Sequence, residues 1–247
     1  MKIEFATYTN IGDCRVNEDT VAVIDKGSVK CFLLADGLGG HGGGDIASAH
    51  IASVVESVVN KANALDERLM HQCFVQAQNS LLELQKKMNK EQALKTTLVM
   101  LLTDGITWTW GHIGDSRLYY FSNGRIKYVT SDHSVPQMML KMGKIKPEEV
   151  KHHPERNILL KVMGTAWTEP AYEVDVTGKK IEKGDAFLLC SDGFWEWVED
   201  SDMEKLVSLQ ASAENIVSQM GTLALKNGMD KESERDNLSA ILVRVIG

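Results

Sequence analysis

The sequence predicts an α+β fold in which antiparallel sheets pack against outer layers of helices. In the central stretch, 97–130, short apolar runs alternate with turn residues, as in an antiparallel meander. Helical periodicity is found before and after this stretch, at 45–88 and 194–227. Strands in the middle of the chain and helices on either side are typical of a layered α+β protein.

Ten strands are predicted from apolar runs, from alternation and from the turn residues that bound them. The Asn123-Gly124 pair lies between two of these runs and predicts a type I′ hairpin. The predicted strands are 3–8, 19–25, 29–35, 97–102, 106–113, 117–121, 126–130, 171–177, 185–191 and 238–245.

Helices are predicted where apolar residues recur every three or four positions. Asp66 is the expected N-cap of the second helix. The predicted helices are 45–64, 66–88, 194–198, 201–209 and 213–227. The segment 132–164 differs, because it holds only short helix-like pieces and has six Lys or Arg against four Asp or Glu. It is either a solvated loop or a basic surface with a function.

Composition narrows the class of protein. The chain has 247 residues, which fits one domain, and a net charge of -7, which argues against a general nucleic-acid binder. The start of the chain shows no signal-peptide pattern, and no apolar run is long enough to cross a membrane. The four cysteines show no Cys-x-x-Cys spacing, so we expect buried free thiols and a reducing, cytoplasmic location.

Two Asp-Gly pairs each follow a short apolar run, at Asp36-Gly37 and Asp192-Gly193. Each predicted strand would deliver a carboxylate at its end. Further acids lie beside predicted strands, at Glu18-Asp19 and Asp236. An isolated Asp-Gly is usually only a turn, as expected at Asp104-Gly105, but several acids at strand ends can converge.

Converging carboxylates repel one another, and a divalent cation relieves that repulsion. Oxygen ligands favour Mg²⁺ or Mn²⁺ over Zn²⁺, and no two histidines have a ligand-pair spacing. Two ions at such a site could activate water and offset phosphoryl charge. Asp36 is the candidate bridge, with the Gly37 carbonyl as a further ligand. Asp192 and Asp236 would hold the second ion, and Glu18 and Asp19 would act through water.

Taken in order, seven segments resemble the PPM (protein phosphatase type 2C) family of metal-dependent protein phosphatases, in its bacterial form. They span residues 15–237. The segments are Arg15-Val16-Asn17-Glu18-Asp19, Ala35-Asp36-Gly37-Leu38-Gly39-Gly40-His41, Thr96-Thr97-Leu98, Gly111-His112-Ile113-Gly114-Asp115-Ser116-Arg117, Asp132-His133-Ser134, Cys190-Ser191-Asp192-Gly193-Phe194-Trp195-Glu196 and Arg235-Asp236-Asn237.

The resemblance implies a four-layer α-β-β-α sandwich over 1–247, with a mobile flap at 132–164. It implies hydrolysis of phosphoserine and phosphothreonine in proteins at a centre with two Mn²⁺ or Mg²⁺ ions. Asp115 would contribute to a third ion. The expected partners are phosphorylated proteins, including a serine/threonine kinase, with no nucleic acid and no membrane, and the protein is expected to be a monomer.

The resemblance also assigns Arg15 to phosphate binding and His41 to protonation of the leaving group. Arg15 lies four residues before Asp19, where the family usually has five, and Cys14 occupies the usual position. His41 could equally be an ordinary loop histidine. Two rival functions are a partner-binding module that has lost catalysis and a small-molecule phosphatase with a closed, narrow pocket.

Overall fold

The computed structural model describes residues 1–39, 42–151, 153–229 and 234–247. Ten strands lie within these ranges. They are β1 (Ile3–Asn10), β2 (Asp19–Asp25), β3 (Lys30–Asp36), β4 (Leu98–Thr103), β5 (Thr107–Ile113), β6 (Arg117–Ser122), β7 (Arg125–Val129), β8 (Glu173–Lys180), β9 (Asp185–Cys190) and β10 (Leu238–Val245). The helices in the same ranges are α1 (Gly44–Lys61), α2 (Leu69–Met88), α3 (Val135–Lys141), α4 (Pro147–Val150), α5 (Asp192–Trp195), α6 (Asp200–Val207) and α7 (Ala213–Gly228).

The strands form two five-stranded antiparallel sheets. The first has the order β1-β10-β9-β6-β7, and the second has the order β2-β3-β4-β5-β8. The sheets pack face to face through a core that includes Phe32 and Leu101 from the second sheet and Phe187 and Ile241 from the first. Since large apolar side chains fill this interface, the two sheets form the inner layers of the molecule.

Helices cover the outer face of each sheet. On the second sheet, Cys31 and Leu33 pack in one cluster with residues of α1 and α2, such as Ile51 and Phe74. On the first sheet, another cluster joins strand residues to α5, α6 and α7. The predicted four-layer α-β-β-α arrangement is therefore confirmed. Strands β3, β4 and β9 are buried on both faces, which explains why the sequence shows continuous apolar runs there.

Most differences from the predicted elements concern their ends. The second helix begins at Leu69, later than predicted, because Asp66 stands outside it as a turn residue. The Oδ1 atom of Asp66 accepts hydrogen bonds from the N–H groups of Arg68 and Leu69. Asp66 therefore stabilises the turn that precedes the helix, whereas the N-cap of the helix is Arg68.

The predicted type I′ hairpin is confirmed. Asn123 and Gly124 both have positive φ values, 50° and 74°, and join β6 to β7. Three of the four cysteines are buried free thiols, as expected, and Cys14 is half-buried. Within the described ranges, no helix combines the length and apolar character that a membrane crossing requires.

Candidate active site

Two of the predicted acids lie side by side at one end of the second sheet. Asp19 is the first residue of β2, Asp36 is the last residue of β3, and the two are paired in the antiparallel register. In the first sheet, Asp192 follows β9 and Asp236 lies two residues before β10. Because β9 and β10 are antiparallel neighbours, the end of one lies beside the start of the other.

The acids of the two sheets lie close enough to raise one another's pKa values. Burial raises the pKa of Asp36 well above its ordinary value. The charges that raise it further belong, in decreasing order of effect, to Asp19, Asp192, Asp115 and Asp236. Coulomb interactions of this kind weaken with distance and with exposure to water. The structure therefore brings together five of the predicted metal-binding side chains.

Asp192 and Asp115 are also in surroundings that disfavour an ionised carboxylate. Burial raises the pKa of Asp192 well above its ordinary value, and Asp115 and Asp236 raise it further. Burial also raises the pKa of Asp115 to about 7, with Asp132 adding to the effect. In the metal-free protein, these carboxyls therefore retain protons at a pH where an exposed aspartate is ionised.

Asp19 is joined directly to the other sheet. The Oγ atom of Ser191 donates to Asp19 Oδ2 at 3.0 Å, and Ser191 lies between β9 and Asp192. Burial raises the pKa of Asp19 to about 7, although hydrogen bonds from Ser239 and Ser191 act in the opposite direction. This contact fixes the distance between the ends of the two sheets.

Glu18 completes the acidic cluster from the loop before β2. Burial raises the pKa of Glu18, and the charges of Asp45 and Asp236 raise it further. Its backbone carbonyl accepts the N–H of Gly37 at 3.1 Å. A Cβ atom at Gly37 would lie 2.3 Å from the backbone of Gly44, at the start of α1. The backbones of Gly37 and Gly44 therefore approach closely, and only glycine fits at position 37.

Thr96 and Thr97, the two residues before β4, hold the backbone of Asp36. The hydroxyl of Thr97 accepts the N–H of Asp36 at 3.0 Å, and the hydroxyl of Thr96 donates to the Asp36 carbonyl at 2.8 Å. The sequence placed both threonines in a motif without giving them a role. Their contribution depends on the pairing of β3 with β4, which spacing alone does not show.

Gly193 has a packing role that sequence reasoning missed. A Cβ atom at this position would lie 2.4 Å from the carbonyl oxygen of Asn237 and 3.2 Å from the Cβ atom of Asp236. The sequence had suggested only a turn after Asp192. In the structure, Asp192 and Gly193 lie in the first turn of α5, against the residues just before β10, which include Asp236. The glycine therefore allows Asp192 and Asp236 to approach each other.

Asn237 ties the loop that carries Arg15 to the acidic cluster. Its side-chain amide nitrogen donates to the carbonyls of Ile11 and Val16, at 2.9 and 3.2 Å. Its side-chain oxygen accepts the N–H of Glu18 at 2.7 Å. One buried side chain thus fixes both ends of the Arg15 loop.

The two predicted catalytic side chains differ in what the structure shows. Arg15 is exposed in this loop, and it has no hydrogen-bond or ion-pair partner among the described residues. The neighbouring Cys14 Sγ lies 3.7 Å from Asp236 Oδ1, so the loop approaches the acids. His41 lies outside the described residues.

Ion pairs with Arg117 and Glu196 join the segment 132–164 to residues near the site. At its start, Arg117 forms a bidentate pair with Asp132, with distances of 2.8 and 2.7 Å. Further along, the Nε atom of Arg156 donates to Glu196 at 2.7 Å. Glu196 is one of the charges that raise the pKa of Asp192. One arginine of the basic excess therefore pairs with an acid beside the cluster.

The structure also brings two histidines together that are far apart in sequence. His112, His133 and Glu173 each offer a ligand atom within 4.8 Å of the others. However, Gly114 N–H donates to His133 Nδ1, which places the ring proton on Nε2. That nitrogen lies 3.2 Å from Glu173 Oε1 and donates to it. Both ring nitrogens of His133 are therefore already bonded within the protein, to Gly114 and to Glu173.

Fold and site together define a class of protein: an α-β-β-α sandwich whose two sheets bring carboxylates together at one end. The model of the family described as Protein phosphatase 2C matches residues 8–242. The chain belongs to this family. The match covers nearly the whole chain and includes both sheets and every described acid of the cluster.

Three bacterial phosphatases illustrate the likeness. The serine/threonine phosphatase Stp of Listeria monocytogenes is 29% identical over 92% of this chain and 89% of its own length. The serine/threonine protein phosphatase PstP of Mycobacterium tuberculosis is 28% identical over 99% of this chain, which spans 45% of PstP. The structure of Stp1 from Staphylococcus aureus, at 28% identity, gives a TM-score of 0.88 and covers all of this chain and 96% of Stp1.

Proposed function

We propose that this chain is a protein serine/threonine phosphatase that hydrolyses phosphoserine and phosphothreonine by attack of an activated water. The observation that carries the proposal is the meeting of Asp36, Asp192, Asp115 and Asp236 at one end of two sheets. We also propose that 1–247 form one catalytic domain with a substrate flap at 132–164. The names of the relatives support the activity, since they are serine/threonine phosphatases.

The donor set fits a hard divalent cation. Its side-chain donors are carboxylate oxygens, which Mg²⁺ and Mn²⁺ prefer, and the largest influences on Asp36 and Asp192 all oppose ionisation. Bound cations would favour the ionised form of these carboxylates. Asp36 would hold two ions together with the Gly37 carbonyl, and Asp192 and Asp236 would hold the second. Asp115 would join a third ion, and Glu18 and Asp19 would act through water.

Divalent cations supply activation of water and neutralisation of phosphoryl charge. The protein supplies a rigid arrangement of acids, because Thr97, Ser191 and Asn237 fix the backbone and side chains around them. We assign Arg15 to orientation of the phosphoryl group, since it is exposed in a loop whose Cys14 Sγ lies 3.7 Å from Asp236 Oδ1. We assign His41 to protonation of the leaving alkoxide.

The proposed substrates are phosphorylated proteins, including a serine/threonine kinase, in the cytoplasm. The exposed lysines of the flap, such as Lys144 and Lys146, offer a surface for acidic segments around the phosphorylated residue. We propose that the enzyme acts as a monomer.

The experiment is hydrolysis of a phosphothreonine peptide and of p-nitrophenyl phosphate with added Mn²⁺, compared with a panel of small phosphates. Asp192→Asn should lower turnover by at least 100-fold at saturating Mn²⁺, because a ligand is lost. Chelation should abolish activity, whereas okadaic-acid-type inhibitors of the other phosphatase class should leave it unchanged.

Asp104→Asn is the matched control, because Asp104 also precedes a glycine but accepts hydrogen bonds from Ile106 and Thr107 in a hairpin. Turnover of this variant should stay near that of the wild type. Near-normal turnover of Asp192→Asn would disprove the metal mechanism. A clear preference for small phosphates would instead favour the rival small-molecule phosphatase.

A further inference from the structure

His133 holds both backbone polar groups of Gly114, the residue before Asp115. The N–H of His133 donates to the Gly114 carbonyl at 2.9 Å, and Gly114 N–H donates to His133 Nδ1 at 3.1 Å. On the opposite side of the ring, Nε2 donates to Glu173 at 3.2 Å. His133 is buried, whereas Glu173 is exposed on β8. Hydrogen bonds therefore connect the surface residue Glu173 through His133 to Gly114, the residue before Asp115.

Gly114 transmits the position of His133 to a second acid. Its φ is 100°, and a Cβ atom here would lie 2.6 Å from the Cγ2 atom of Thr97. The Thr97 hydroxyl accepts the N–H of Asp36 and bonds to Ser116 Oγ at 2.7 Å. Because Gly114 is wedged between His133 and Thr97, a shift at Gly114 would reach the backbone of both Asp115 and Asp36.

His112 keeps the His133 ring in place. The two rings are stacked, with centroids 4.9 Å apart and planes 4° from parallel. His112 is itself fixed, because its Nε2 donates to the carbonyl of Ser131 at 3.0 Å. Burial lowers the pKa of both imidazoles. The neutral ring of His133 thus keeps the Nδ1 lone pair that Gly114 N–H requires.

We propose that His133, oriented by Glu173, is a positioning residue that sets the places of Asp115 and Asp36 and thereby the affinity of the site for divalent cations. This inference rests on the proposed function, in which those two acids bind metal. Partners that orient metal ligands typically contribute a factor of about 10–100 to metal affinity. Neither His133 nor Glu173 contacts the reacting atoms in this proposal.

The test compares His133→Leu with His133→Asn. Asparagine places an oxygen on the same Cγ atom that carries Nδ1 in histidine, so it can still accept the Gly114 N–H, whereas leucine cannot. Mn²⁺ binding is measured directly by electron paramagnetic resonance. His133→Leu should weaken Mn²⁺ binding about tenfold or more, and His133→Asn should recover most of it.

Two further variants separate positioning from general damage. Glu173→Ala removes an exposed side chain, so folding is not at risk, and it should weaken Mn²⁺ binding a few-fold, while Glu173→Gln should not. His50→Leu is the control, because His50 bonds to Ser80 between α1 and α2, outside the acidic cluster. It should leave Mn²⁺ affinity within twofold of the wild type.

Amide hydrogen exchange of Gly114 in the metal-free protein tests the hydrogen bond without reference to catalysis. Exchange should accelerate in His133→Leu and be restored in His133→Asn. Mn²⁺ affinity within twofold of the wild type in His133→Leu, or unchanged exchange at Gly114, would overturn the inference. Failure of the wild-type protein to hydrolyse any phosphopeptide would overturn the proposed function instead, and the exchange result would still decide whether His133 holds Gly114.

Discussion

At the scale of single residues, the site depends on small residues as much as on acids. Asp36 reaches its place because Gly37 lets the end of β3 meet the start of α1. Asp192 and Asp236 approach each other because Gly193 leaves room for the Asn237 carbonyl. A carboxylate cluster of this kind needs close backbone packing, since side chains as short as aspartate cannot cover larger gaps.

Gly193→Ala should therefore damage the site without removing any ligand. The new Cβ atom would meet the Asn237 carbonyl at 2.4 Å, which backbone atoms can relieve only by moving apart. We expect a loss of about 1–3 kcal/mol in the free energy of unfolding and at least tenfold weaker Mn²⁺ binding. Urea unfolding and Mn²⁺ titration measure the two effects. Wild-type Mn²⁺ affinity in this variant would contradict the packing role of Gly193.

At this scale the sequence predicted the acids, but not the residues that hold their backbone in place. Asp36 and Asp192 could be predicted because each ends an apolar run, which is a local pattern. Thr97 and His133 could not be given roles, because their partners are 61 and 19 residues away in the chain. Such contacts depend on strand register and loop packing, which the local pattern does not determine.

At the scale of elements, the apolar runs predicted the inner strands well because strands such as β4 and β9 are buried on both faces. The ends of elements were less predictable. The helix after β9 begins at Asp192, so the proposed metal ligand lies in its first turn. The predicted strand 171–177 is instead Glu173–Lys180, because pairing with β5, and not apolar content, sets its bounds.

Substitutions of Gly124 in the β6–β7 hairpin and Gly105 in the β4–β5 turn separate the cost of a left-handed backbone from the cost of a steric clash. Gly124 and Gly105 both have positive φ, 74° and 82°. A Cβ atom at Gly124 would lie 2.2 Å from Ser208 Oγ, whereas nothing lies within 4 Å at Gly105. Gly105→Ala should cost only the left-handed backbone penalty of about 1–2 kcal/mol. Gly124→Ala should cost about 1 kcal/mol more, because Ser208 must also move.

Thermal or urea unfolding of the two variants gives this comparison directly. A third protein that combines Gly124→Ala with Ser208→Gly should recover the packing part of the loss, since the clash would be gone. Equal losses for the two single variants would mean that Ser208 moves freely and that the hairpin does not pack tightly on the end of α6.

At the scale of the whole molecule, the two sheets are held together by a large apolar core and pushed apart at one end by charge. The core includes Trp108, Phe187 and Ile241 between the sheets. The acids at the sheet ends come from both sheets, with Asp19 and Asp36 from one and Asp192 and Asp236 from the other. Cation binding would therefore stabilise the folded sandwich in addition to activating water for the reaction.

The stability of the metal-free protein should fall as the pH rises from 6.5 to 8.0. The pKa values of Asp19 and Asp115 are raised to about 7, and those of Asp36 and Asp192 lie well above the ordinary range. The folded protein thus holds protons that the unfolded chain has released since about pH 4. Because the folded state binds more protons, its stability decreases with rising pH.

Histidine opposes this effect only in the lower part of the pH range. The pKa values of His112 and His133 are lowered, so these residues make stability rise with pH until the unfolded chain has released its histidine protons, about one pH unit above the unfolded pKa of roughly 6.5; beyond that they are neutral in both states. Melting temperatures are measured with chelator and with Mn²⁺. Mn²⁺ should raise the melting temperature more at pH 8.0 than at pH 6.5, because binding then displaces fewer protons.

Asp36→Asn tests whether the acidic cluster causes this pH dependence. At pH 8.0 the metal-free variant should melt at a higher temperature than the metal-free wild type, because one buried charge and its repulsion are gone. It should also lose most of the stabilisation by Mn²⁺. A metal-free wild type whose stability is flat or rises between pH 6.5 and 8.0 would show that the acids do not repel one another as the structure indicates.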